Sequence, residues 1–259
     1  MTTESLLLVG RETEGLGDLL ETHAPRLRAR LDVASVEVAT YDAEPVRELR
    51  PAFEDLTAET VYAVPMTAAH THETTTEIPA ALSAVPGTVH YCEPVGQSPA
   101  ITDVLAQRGA ARVRPDDDAT LVLVSFGSSS KPYQRQTTDY HATRLREQSA
   151  YGSVVTCYLL QNPTVECVRY NVPTDRAVAV PLFLARSEAT ERRIPAELEL
   201  SRGGMAYAEP LLDHPGVTDA IAAEVEKQRA LSDDARSNTF EATLARTSRP
   251  VATDGEGRP

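Results

Sequence analysis

The chain repeats itself. PMTAAHTHETTTEIPAAL, beginning at Pro65, aligns with PLFLARSEATERRIPAEL, beginning at Pro181, 116 residues further on. Both copies run from a proline to an Ile-Pro pair, Ile78-Pro79 and Ile194-Pro195, with identical internal spacing. YCEPVGQSPAITDVL from Tyr91 matches YAEPLLDHPGVTDAI from Tyr207, again 116 apart, and LLLVG at 6–10 matches LVLVS at 121–125 at an offset of 115. Ordered matches at nearly one offset mark an internal duplication, so both halves must fold alike.

Each half reads as alternating strands and helices. Apolar runs (Leu6–Val9 and Leu121–Val124) precede helical segments at about 14–31 and 137–147. Second strands (Val36–Thr40, Val154–Tyr158) lead to short segments begun by Pro45 and Pro163. Third strands (Val61–Pro65, Ala177–Pro181) precede the Ile-Pro helices. Fourth strands (Thr88–Tyr91, about Met205–Tyr207) precede the last helices, Pro99–Gln107 and Val217–Lys227. Strand–helix alternation implies parallel sheets with right-handed crossovers, and unbroken apolar strands imply sheets covered on both faces. The boundary falls in RVRPDDDAT, where Pro115 and three aspartates break the pattern. The expected organisation is α/β: a repeat at 1–114, a second at 115–230, the two facing a central cleft, and a flexible tail at 231–259.

Composition narrows the partners. The net charge is −13, from 38 acidic and 25 basic residues, which repels nucleic acid and anionic lipid. No run approaches the roughly 18 apolar residues of a membrane span, and MTTESLLLVG lacks the basic start of a secretory signal. A cytoplasmic location is expected. Lys131 and Lys227 are the only lysines, and no tryptophan is present. Such a composition suggests a halophile's cytoplasm, where salt screens the self-repulsion. Cys92, Cys157 and Cys167 form no C-x-x-C pair or disulfide framework and read as buried core thiols.

In open α/β sheets, ligands gather beyond the carboxyl ends of the strands. His70, His72 and Glu73 lie there, after the third strand; Arg11 and Glu12 follow the first, and Glu44 the second. Two imidazoles and a carboxylate within four residues can bind a divalent ion; two solvent-facing loop histidines are the alternative. The matching loop of the second half, ARSEATERR, has no histidine. FGSSSKPYQRQ, after the first strand of the second half, places Ser128, Ser129 and Lys131 at a strand-to-helix junction. It reads either as an anion-binding turn or as an ordinary turn with a serine cap. His90 and His141 sit inside a strand and a helix and read as structural, and His23 and His214 carry no assigned chemistry. G-x-S-x-G, Walker and G-x-G-x-x-G patterns are absent, as is H-E-x-x-H, which lowers hydrolase, NTPase, dinucleotide and zinc-protease readings.

Two tandem repeats, each with strand-Pro, a gap, Ile-Pro and then Tyr-x-Glu-Pro, resemble the sirohydrochlorin cobaltochelatase family in its long, two-repeat form, over roughly residues 5–230. The resemblance implies two flavodoxin-like, chelatase-type domains around a tetrapyrrole cleft. It implies insertion of Co²⁺, or Fe²⁺ or Ni²⁺, into sirohydrochlorin toward cobalamin or sirohaem, with the metal as substrate and no organic cofactor. Family members carry a histidine in a Gly-His-Gly-Ser turn after strand one. Here that turn reads Gly10-Arg11-Glu12-Thr13 and Ser125-Phe126-Gly127-Ser128. Their second histidine, eight residues after the proline, corresponds to Glu73, with His70 and His72 beside it. The resemblance thus implies His70 or His72 as metal ligand and Glu73 or the other imidazole as proton acceptor. Sirohydrochlorin carries eight carboxylates, which Arg11, Lys131 and Arg186 can pair, with Ser128 and Ser129 nearby. The duplicated chain is expected as a monomer completing one cleft, or as a homodimer. A binding or delivery protein without turnover is the competing class, and a solute-binding module a third.

Overall fold

A computed structural model describes residues 3–13, 15–172 and 176–237. The first half comprises β1 (Glu4–Arg11), α1 (Leu16–Leu31), β2 (Ser35–Tyr41), α2 (Pro45–Glu54), β3 (Thr60–Pro65), α3 (Ile78–Leu82), β4 (Thr88–Tyr91) and α4 (Pro99–Ala110). The second comprises β5 (Ala119–Ser125), α5 (Tyr133–Gln148), β6 (Ser153–Tyr158), α6 (Val165–Val168), β7 (Arg176–Pro181), α7 (Ile194–Glu197), β8 (Met205–Tyr207) and α8 (Gly216–Ser237). Each half makes one four-stranded sheet, ordered β2-β1-β3-β4 and β6-β5-β7-β8, with every pairing parallel. The tandem α/β architecture is the one expected from the duplication.

Strand periodicity sorts the core into layers. Leu6 and Leu8 point to one side of β1 and join Leu121 and Leu123 of β5 in a core shared by both halves. Leu7 and Val9 point the other way and pack under α2 and α3 with Leu49, Phe53 and Ile78. Val122 and Val124 do the same under α6 and α7. Helices α1, α4, α5 and α8 therefore fill the space between the sheets. Leu16, Leu20, His23, Leu27 and Leu31 form the buried stripe of α1. Each fully buried leucine contributes roughly 1.5–3 kcal/mol, and the shared layer ties the repeats into one body.

Two buried histidines cross that layer as a pseudo-symmetric pair. His23 on α1 donates Nε2–H to the Leu212 carbonyl (2.6 Å) and bonds through Nδ1 to the Thr218 hydroxyl (2.7 Å). His141 on α5 donates Nε2–H to the Gly96 carbonyl (2.7 Å) and bonds through Nδ1 to the Thr102 hydroxyl (2.9 Å). Leu212 and Thr218 lie 116 residues beyond Gly96 and Thr102, so each repeat inserts one imidazole into the same place on the other. Gly96 also permits a close approach: a Cβ there would lie 2.3 Å from Ala68, on the loop after β3.

Several local expectations change. The Ile-Pro helices are single turns, each preceded by a π-turn (Glu73–Glu77, Ala189–Arg193) that side-chain periodicity does not announce. The two proline-begun segments differ, α2 having 10 residues and α6 only 4. Helix α8 continues to Ser237, past the expected end; the rest of the expected tail, 238–259, lies outside the described residues. Cys92 and Cys157 are buried, but Cys167 on the short α6 is exposed and not a core thiol. Among the described residues no helix is long and apolar enough to cross a membrane.

Candidate active site at the seam between the repeats

With strand order 2-1-3-4, the sequence of strands across the sheet switches sides between β1 and β3, and likewise between β5 and β7, while every strand stays parallel. Such switch points open a crevice at the carboxyl edge. Both crevices face one cavity of about 260 Å³. Arg11 and Thr13 line it from the β1 loop, Met66, Thr67, Ala68 and Thr71 from the end of β3 and its loop, Phe126 from the β5 loop, and Leu182, Phe183, Leu184, Ala185 and Ser187 from the β7 loop. Phe126 and Phe183 meet edge to face at 6.3 Å. Gly127, at φ +76°, turns the chain sharply behind Phe126; a Cβ there would lie 2.8 Å from the Tyr158 Cβ.

A second cavity, of about 360 Å³, lies on the His70 side, between the first repeat and α5 of the second, lined by His70, Gln97, Tyr133, Gln136, Thr137 and Tyr140. A third, of about 230 Å³, adjoins on the C-terminal side, where Arg186 and Glu209 line it. Arg186 occupies the repeat position of His70, and Glu209 that of Glu93. The outer cavities are thus duplicates with different chemistry.

On the first side, His70 Nε2 lies 2.7 Å from Glu93 Oε2, so this nitrogen carries the proton given to the carboxylate. His70 Nδ1 lies 3.2 Å from Thr74 Oγ1, and the Tyr133 ring stands edge-on at 5.7 Å. Thr74 is fully buried; its hydroxyl accepts the Thr71 N–H (2.8 Å) and faces the Thr71 carbonyl (3.2 Å). Glu93 is held by Pro94 and the short β4, one strand beyond the histidine loop. On the second side Arg186 bonds Glu209 at 2.8 Å and reaches Glu191 at 3.8 Å, while Arg112 bonds the other Glu209 oxygen at 3.2 Å.

The HTHE loop divides. Glu73 does not share His70's surroundings: it faces Arg11, Nη1 to Oε1 at 3.9 Å, and Arg11 Nε donates to the Asp42 carbonyl (2.9 Å). Burial pushes the Glu73 carboxyl up. Hydrogen bonds from Thr71 and from its own backbone, with Arg11 and His72 nearby, outweigh this and hold it below the usual carboxylate range. Burial first, then the Glu73 charge, raises the Tyr41 phenol beside this pair to about 12. His72 is exposed. Among the described residues no three His, Cys, Asp or Glu side chains gather to hold a metal, so the single cluster expected of His70, His72 and Glu73 does not form. The physical reason is that each donor has its own partner: His70 turns to Glu93 and Thr74, Glu73 to Arg11, and His72 to solvent.

The serine turn takes the second of its two expected forms, an ordinary turn capped by a serine. Ser128 Oγ accepts the N–H groups of Ser130 (3.3 Å) and Lys131 (3.1 Å), and the Ser128 N–H is given to Gln161 (3.1 Å). Those amides are satisfied within the protein instead of facing an anion. Ser129 and Lys131 are exposed. Arg186 faces the third cavity with its charge matched by carboxylates, and of the three expected cations Arg11 is the one lining the central cavity. Sequence reasoning missed Glu93, Thr74, Phe126 and Phe183. Glu93 carried a signal, since Tyr-x-Glu-Pro is identical in both halves.

The CbiX family model matches residues 7–111 and again 120–228, once per repeat. The chain belongs to the CbiX family. A probable sirohydrochlorin cobaltochelatase of Halobacterium salinarum is 26% identical over 224 residues, 75% of this chain and 76% of that protein. SirB from Bacillus subtilis, solved with Fe³⁺, superposes at a TM-score of 0.72 with 19% identity, over 90% of this chain and 98% of that one. A multi-domain protein of Deinococcus radiodurans with structural similarity to chelatases superposes at 0.67 with 21% identity; 86% of this chain is covered, but it spans only 54% of that longer chain. These structures establish the shared fold. Measured against the CbiX pattern set out above, the turn and loop positions of the two family histidines hold Arg11 and Glu73, facing each other as an ion pair.

Proposed function

We propose that this CbiX-family chain is a metallochelatase that inserts a divalent ion, Co²⁺ foremost with Fe²⁺ or Ni²⁺ as alternatives, into a sirohydrochlorin-type tetrapyrrole. The setting is cobalamin or sirohaem synthesis in the cytoplasm of a halophile. The observation that carries the reading is the cavity at both switch points, with a histidine on one side and an arginine in its wall. Family membership and the name of the Halobacterium relative support the substrate.

Insertion exchanges two pyrrole N–H bonds for metal–nitrogen bonds and releases two protons. Phe126, Phe183 and the leucines of the β7 loop offer an apolar wall to a flat macrocycle. Arg11, more than half exposed, can exchange Glu73 for a substrate carboxylate. His70 presents the metal from the loop after β3. The proton acceptor is Glu73, held below the usual carboxylate range and so a weak base, or His72, exposed beside it on the same loop.

The Arg11–Glu73 pair, standing where the family pattern has histidines, favours one other reading, a delivery protein that binds without turnover. Protein at one-hundredth of the tetrapyrrole concentration separates the two. Metallation of many equivalents identifies a catalyst, and one equivalent bound with none metallated identifies a carrier.

A further inference from the structure

The most specific polar contact outside the expected HTHE cluster is the one between His70 and Glu93. We infer that His70 Nε2 and Glu93 Oε2 together form a divalent-metal site beside the 360 Å³ cavity that His70 lines. The inference deepens the proposed function and rests on its assignment of His70 to the metal.

Imidazole and carboxylate are both good donors for first-row ions. Two donors each about 2.1 Å from one ion stand roughly 3 Å apart, so the present 2.7 Å separation needs to widen by only a few tenths of an ångström. Binding at Nε2 requires its proton to move to Nδ1, and an acceptor is already in place. Thr74 Oγ1, 3.2 Å away, can take the Nδ1–H while donating its own hydrogen to the Thr71 carbonyl. A ring nitrogen opposite the ligand atom, held by a fixed acceptor, is the usual support of a metal-bound histidine. Two protein donors leave the remaining coordination positions to water and to incoming pyrrole nitrogens, as an ion that must be surrendered requires. Glu93 is substantially exposed, so the ion has a way in.

The duplicate supplies the internal control. Thr190 makes the same contacts to Ser187 that Thr74 makes to Thr71. Where the first repeat has an imidazole beside its carboxylate, however, the second has the Arg186 guanidinium, with Arg112 on the other oxygen. Two permanent positive charges exclude a cation there. Of the two duplicated positions, only the first can therefore hold the ion.

The test is titration of the metal-free protein with Co²⁺ alone, followed by calorimetry and visible absorbance. The expected result is one Co²⁺ per chain, with affinity falling about tenfold or more in Glu93→Gln, Glu93→Ala and His70→Ala, and unchanged in Glu209→Gln. Circular dichroism confirms that each variant is folded. Two Co²⁺ per chain, or an affinity indifferent to Glu93→Gln and Glu93→Ala in folded protein, overturns the site. Insertion by the wild-type protein is assayed separately. A chain that inserts metal but ignores Glu93 refutes this site and keeps the proposed function, whereas one that loses Co²⁺ with Glu93 yet never inserts it does the reverse.

Discussion

Arg11 and Glu73, 3.9 Å apart and 56% and 28% exposed, form the kind of ion pair that contributes about 0–1 kcal/mol to stability. Its significance is chemical, because it keeps a cation in the wall of an apolar cavity. Arg11→Gln is therefore expected to leave the melting temperature within a few degrees while raising KM for the tetrapyrrole about tenfold, measured by thermal melts and steady-state insertion. Thr74 is the opposite case, fully buried and bonded on all sides. Thr74→Val removes the acceptor for His70 Nδ1–H and is expected to weaken Co²⁺ binding roughly tenfold, with Thr74→Ser restoring it; calorimetry reads both. At this scale the sequence was half legible. His70 declared itself by its place after an apolar strand. Glu93 stood out in the repeated Tyr-x-Glu-Pro, but its pairing with His70 did not, because that partner lies 23 residues earlier on another loop and the pairing exists only once strands β3 and β4 are side by side.

Between elements, the crossed histidines decide how the repeats are held. Burial above all lowers the His141 imidazole to about 4; the Gly96 carbonyl opposes this and the Arg144 charge adds to it. His23 is lowered by burial too, against the Leu212 carbonyl. A lowered folded value means the unfolded chain binds protons first. The His141 contribution is therefore complete above its unfolded value near 6.5 and is lost as pH falls toward 4, by an amount on the order of 3 kcal/mol. Denaturant melts across that window are expected to show a smaller loss on acidification in His141→Gln than in the wild type. Gly96→Ala is expected to destabilise by about 1–3 kcal/mol, since its Cβ meets the Ala68 backbone at 2.3 Å and must displace the histidine loop; the same melts measure it. Strands were legible because long apolar runs admit few alternatives. His23 and His141 read only as residues in helices, since nothing local reveals what a helix packs against. The π-turns were not legible either, because a single wide turn leaves no periodic trace.

The whole molecule is a pseudo-dimer in one chain. Duplication fixed the architecture from sequence, and divergence at a few positions, His70 against Arg186 and Arg11 against Phe126, made one asymmetric cleft from two equal halves. A net charge of −13 on this compact body implies self-repulsion that salt relieves, so the melting temperature is expected to rise between dilute buffer and molar KCl; an unchanged or falling value contradicts the halophilic reading. The central claim is that the seam between the repeats inserts metal from its His70 side. Its most direct test is the initial rate of Co²⁺ insertion into sirohydrochlorin, followed anaerobically by absorbance at high salt. Acceleration above the spontaneous rate, reduced at least tenfold in folded His70→Ala, is the predicted result. No acceleration by the folded wild-type chain, or one indifferent to His70, contradicts it.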